Sequence, residues 1–80
     1  MASGENTNVK KRSVNIAGHP TSVSLEAPFW DALRQIAGAG GQTPAALIAQ
    51  IDAGRGRAGL SSAIRLHVLA HYRKLAEISR

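Results

Sequence analysis

Between Thr21 and Glu26 the chain alternates strictly, Thr-Ser-Val-Ser-Leu-Glu, and then runs without a spacer into Ala27-Pro28 and a helical pattern. In a strand of this pattern Val23 and Leu25 share one face, and Ser22, Ser24 and Glu26 share the other. A lone strand cannot satisfy its own backbone N–H and C=O groups, and an isolated hairpin is marginal. The chain has 80 residues and no cysteine, so no disulfide or thiolate metal site reinforces so small a core. The pattern predicts that Thr21–Glu26 pairs antiparallel with the same segment of a second copy, in an obligate homodimer.

A second alternating stretch, Ser13-Val14-Asn15-Ile16, precedes it, with Ala17-Gly18-His19-Pro20 as a turn or kink between the two. This stretch either lengthens the ribbon or folds beside it. Three helical patterns follow. Proline at Pro28 suits a first helical turn, and Phe29, Leu33 and Ile36, with Trp30 and Ala37 beside them, keep the spacing of a buried stripe up to Gly38. Thr43-Pro44 reads as an N-cap and first helical residue, with Leu47, Ile48 and Ile51 as the stripe as far as Gly54. After a basic Gly-rich loop, Arg55-Gly-Arg-Ala-Gly59, a third helix capped by Ser61 runs to about Ile78, with Ile64, Val68, Tyr72 and Leu75 in line. The expected fold is mostly α with one short β-strand. Residues 1–12 form a flexible basic N-terminal arm and residues 13–78 the folded domain. Val23, Leu25, Leu33, Ile36, Ile64, Val68 and Tyr72 are the expected dimer core.

The net charge of +5 is unevenly placed. Lys10, Lys11 and Arg12 stand at one end, and Arg55, Arg57, Arg65, Arg73, Lys74 and Arg80 at the other. The middle carries Glu26, Asp31 and Asp52 against Arg34. Basic ends suit a polyanion, because each neutralised phosphate releases condensed counterions; solubility alone is the plainer explanation. No apolar run approaches the ~20 residues of a membrane span, and the basic N-terminus is not followed by the apolar segment of a secretory signal. With no cysteine, a cytoplasmic protein is expected. His67 and His71 are spaced i, i+4, but neither a third ligand nor the glutamate of a zinc protease accompanies them, so no metal or other cofactor is expected. There is no cysteine nucleophile, no usefully spaced carboxylate pair and no Gly-x-Ser-x-Gly elbow, which argues against an enzyme.

Ser22-Val-Ser-Leu-Glu-Ala-Pro28, an alternating strand leading directly into a proline-started helix, resembles the ribbon-helix-helix repressors of the Arc and MetJ type. Leu60-Ser-Ser-Ala-Ile-Arg-Leu-His-Val-Leu-Ala-His-Tyr72 is similar to that family's second helix. The string from Lys11 to Leu33 also looks like a branch of small bacterial proteins of this fold. The resemblance implies an intertwined homodimer with a two-stranded antiparallel ribbon, here with an extra helix. The short Gly-rich link after the first helix favours 43–53 as the family's second helix, with 61–78 appended. The Ala-Ile-Arg match favours 61–78 in that place, with 43–53 as an insertion, and the insertion is the expectation here.

The resemblance implies a double-stranded DNA partner, with the ribbon in the major groove and outward strand residues reading base edges. Those positions are Ser22, Ser24 and Glu26. Serine discriminates weakly, and the Glu26 charge opposes nearby phosphates, whereas readers in the family are more often Arg, Lys, Asn or Gln. Ser61 and Ser62, with Arg65 in the next turn, are the expected phosphate anchors at a helix N-terminus, with Thr43 in that place under the other register, and Lys10, Lys11 and Arg12 are the expected gripping arm. A DNA-binding transcriptional regulator, a repressor, is the function this implies, in a homodimer or a higher assembly and with room for a small-molecule effector. The alternative is a dimer of the same fold that binds a small metabolite near Trp30 and the Arg55–Arg57 loop, or docks on a protein.

Overall fold

The computed structural model describes residues 8–78. Two strands, β1 (Val9–Ile16) and β2 (His19–Glu26), are followed by α1 (Ala27–Ala39), α2 (Pro44–Gly54) and α3 (Leu60–Ile78). The sheet is an antiparallel hairpin made by one chain, with Ile16 opposite His19 and Val9 opposite Glu26. The single strand expected from the sequence is thus half of a hairpin, and its mate lies in its own chain. Lys10, Lys11 and Arg12, expected in a flexible arm, lie within β1; residues 1–7 of that arm fall outside the described residues.

The turn explains the pairing. Ala17 and Gly18 both have positive φ, 52° and 84°. This is the type I′ geometry whose twist matches that of the flanking strands. In such a two-residue hairpin the pair beside the turn is hydrogen-bonded and the next pair is not, so Pro20, opposite Asn15, falls where no N–H is needed. The ladder runs one residue past the strands, where the Ala27 N–H donates to the Asn8 carbonyl at 3.2 Å. Alanine is a costly choice for left-handed backbone. We expect Ala17→Asn to stabilise the fold by about 0.5–1 kcal/mol, read as a higher urea midpoint; an unchanged midpoint would mean the turn carries no strain.

The helices begin and end where the residue types dictate. Pro28 sits in the first turn of α1, and Gly41, with φ 71°, lets the chain leave that helix while the Gln42 N–H bonds back to the Ala37 carbonyl at 2.9 Å. Thr43 caps α2, its hydroxyl accepting from the Ala46 N–H at 3.1 Å. α3 starts one residue before Ser61, whose hydroxyl, expected to cap that helix, turns to β2 instead.

One core joins all five elements. Val23 and Leu25 from β2, Ile16 from β1, Trp30, Leu33, Ile36 and Ala37 from α1, Leu47, Ile48 and Ile51 from α2, and Ile64 and Val68 from α3 are buried. Six of the seven residues expected in a dimer core are therefore buried inside one chain. The exception is Tyr72, which is 38 % exposed and whose hydroxyl pairs with the Gln35 Oε1 at 3.1 Å. Among the described residues no helix is long and apolar enough to cross a membrane.

Candidate nucleic-acid interface

Residues directly opposite in an antiparallel pair share a face. With Lys11 opposite Ser24, Ser13 opposite Ser22 and Asn15 opposite Pro20, the outer face of the hairpin carries Val9, Lys11, Ser13 and Asn15 on β1, and Pro20, Ser22, Ser24 and Glu26 on β2. All of the β1 residues in this set are exposed, as are Pro20 and Ser22. Alternation within Thr21–Glu26 assigns this face Ser22, Ser24 and Glu26.

Two of those three are tied to α3, Ser24 through its backbone and Glu26 through its side chain. The Ser24 N–H, which points away from β1, donates to the Ser61 hydroxyl at 3.2 Å, and the Ser24 carbonyl accepts from Arg65 at 3.4 Å. The Glu26 carboxylate accepts from Arg65 Nε at 2.8 Å, and the Arg65 guanidinium also lies 5.9 Å from the centre of the Phe29 ring. Four residues expected to touch DNA, Ser24, Glu26, Ser61 and Arg65, thus hold one another and fasten the start of α3 to the outer edge of β2. Ser62 is exposed beside them.

The Arg65 hydrogen bond, helped by backbone hydrogen bonding, holds the Glu26 carboxyl below the usual glutamate range. A group depressed in this way stabilises the fold above its ordinary value and ceases to do so as pH falls through the lowered one. We expect the Ser24 amide to exchange faster, relative to its neighbours, on the acid side of the ordinary glutamate range. Glu26→Gln should remove that pH dependence; a wild-type profile that is flat there would contradict the latch.

Lys10 and Arg12 alternate with Lys11 and lie towards the helices, yet both remain exposed, because β1 overhangs the core at this end. Their backbone and side chains are organised by one residue. The Trp30 indole N–H donates to the Lys10 carbonyl at 2.9 Å, and the Arg12 guanidinium lies 5.4 Å from the centre of the Trp30 ring. A cation held by an aromatic face in this way keeps its charge available. Three consecutive cations therefore line an edge strand, whereas Arg55 is folded back on Asp52 and the Ala58 carbonyl.

The model of a ribbon-helix-helix domain family matches residues 9–72, which takes in both strands, α1, α2 and most of α3. The chain belongs to the ribbon-helix-helix family. Among solved structures, this ribbon-helix-helix chain is similar to an uncharacterized protein from Bordetella pertussis Tohama I. The TM-score is 0.79 at 30 % identity, with 92 % of this chain and 63 % of that chain covered. The chain therefore spans less than two thirds of that relative's length. No curated protein matches it. Ribbon-helix-helix domains are generally dimeric, DNA-binding and regulatory rather than enzymatic.

Two residues that sequence reasoning missed, Ser13 and Asn15, gain their place from the cross-strand register of this ribbon-helix-helix hairpin. Lys11, expected in an arm, joins them on the same face. The available signal was the pair of alternating stretches on either side of Ala17-Gly18, which sets each outward residue of one strand against one of the other.

Proposed function

We propose that the protein is a cytoplasmic, homodimeric DNA-binding regulator, a repressor, which lays the outer face of its hairpin in the major groove. The observation that carries this is the register, which puts Lys11, Ser13, Asn15 and Ser22 together on one exposed face. The major groove is ~12 Å wide and admits a two-stranded ribbon. Lysine pairs well with guanine O6 and N7, asparagine with adenine N6 and N7, and serine with several bases. The hairpin thus supplies the residue types that Ser22, Ser24 and Glu26 alone lack. Lys10 and Arg12, directed to the other side, are placed for the phosphates flanking the groove.

The dimer has its support in α3. Ile64 and Val68 are buried, but further along the helix Leu69, Tyr72, Leu75 and Ile78 are exposed, the last at 71 %. A second copy covering this apolar end would relate the two hairpins by a twofold axis and ask for a palindromic operator. Because β2 already has its mate in the chain and Ser61 and Arg65 on its other edge, chains need not exchange strands to satisfy it.

Salt titration of duplex binding tests the reading. Log affinity should fall with log salt by ~0.9 for each phosphate neutralised, reaching roughly 4 if Lys10 and Arg12 of both copies engage. Affinity independent of salt would contradict it.

A further inference from the structure

A cavity of about 370 Å³ lies between β1 and the start of α2, lined by Arg12, Val14, Trp30, Arg34, Pro44 and Ile48 among others. Its volume is in the range of small-molecule sites, ~300–1,000 Å³. We infer that it binds a small organic anion: an apolar body with one carboxylate or phosphate.

Three features converge on that class. Val14, Pro44 and Ile48 give an apolar wall, and the Trp30 indole, its N–H already given to Lys10, adds ring surface without a free donor. Arg12 and Arg34 bring two guanidinium groups to the rim from β1 and α1. The first residues of α2, Pro44 and Ala45, line the cavity too, so the positive end of that helix dipole adds to both. Among the described residues no acidic side chain lines it.

Arg34 is paired with Asp31 one turn earlier on α1, and both side chains are about half exposed, at 48 % and 60 %. Such surface pairs are weak, and a ligand anion in the cavity can draw Arg34 from Asp31 at little cost. The charge of Asp31 nonetheless opposes the ligand, which makes it a restraining residue rather than a lining one. A second cavity, between α2 and α3, also has an arginine, Arg55, but that guanidinium is held by Asp52 and the Ala58 carbonyl. The structure also separates the two parts of the metabolite site anticipated from sequence, since Trp30 lines one cavity and Arg55 the other.

Trp30 is the one tryptophan of the chain, so its fluorescence reports on this cavity alone, in the absence of DNA and independently of the function proposed above. Titration of the full chain with cyclohexanecarboxylate should give a saturable change. Cyclohexylmethanol, which lacks the charge, and inorganic phosphate, which lacks the apolar body, should each bind at least about tenfold more weakly. Arg34→Gln should weaken the carboxylate about tenfold, and Asp31→Asn should tighten it, a gain that mere damage to the fold would not produce. No saturable change with the carboxylate, equal binding of the neutral alcohol, or an Asp31→Asn variant that binds no more tightly would each overturn the site.

Discussion

Val23→Asp is expected to leave the chain unfolded, with no cooperative transition in urea and no native-like far-ultraviolet circular dichroism. Val23 is fully buried at 0 % exposure, on the inner face of β2 among the residues of the common core. A carboxylate there has no cation to meet, since the strand's own arginine partner, Arg65, lies on the opposite side with Glu26. Burying it costs several kcal/mol even after the group takes up a proton, and domains of this size have roughly 5–15 kcal/mol to lose. Leu75→Asp should behave differently. Leu75 is 44 % exposed on the part of α3 that outruns the core, so the variant should keep its fold and sediment as a monomer. A cooperatively folded Val23→Asp protein would show that β2 is not packed as described. A dimeric Leu75→Asp protein would remove the α3 interface.

The other large effect is on sequence recognition. Asn15→Ala should lower discrimination at one base position in each half-site by roughly 10- to 100-fold, the equivalent of the ~1–3 kcal/mol carried by a well-formed bidentate contact. Selection from a randomised duplex pool would read this as a position that loses its preference. Lys11→Ala should likewise relax the preference at the guanine its ammonium contacts, whereas Arg12→Ala should weaken binding on all sequences and reduce the salt slope by ~0.9 per copy. The Asn15 and Lys11 side chains are both exposed, so neither of those two changes should move the urea midpoint by more than about 0.5 kcal/mol in stability. Unaltered selection by the Asn15→Ala protein would take the reading role from the hairpin face.

Much of this architecture is legible in the residues, and the parts that are not have identifiable causes. The three helices follow from their apolar stripes and caps, and Thr43-Pro44 and the glycines after Ala39 place their ends closely. β2 follows from its alternation. The first half of β1 does not, because Lys10, Lys11 and Arg12 are exposed on both faces. Without a buried face no period-two signal exists, and the strand is there because β2 offers it a ladder. Alanine in place of the usual asparagine or glycine at position 17 also disguises the turn.

The candidate interface is less legible for a different reason. Alternation separates Ser24 and Glu26 from Val23 and Leu25, but it cannot reveal that Arg65, 39 residues beyond Glu26, takes the carboxylate. Tyr72 shows a similar limit. It continues the stripe of Ile64 and Val68, and helical periodicity contains nothing to mark where a chain's own core ends and a surface for another molecule begins.

Amide chemical-shift mapping on the full chain, titrated with a mixed-sequence duplex at low salt, examines the DNA-facing surface most directly. Perturbations should concentrate at residues 9–15, 21 and 22, with those of α2 small by comparison. Binding that leaves the hairpin amides unmoved, while shifting only α3 or the loop at 55–59, would contradict the assignment.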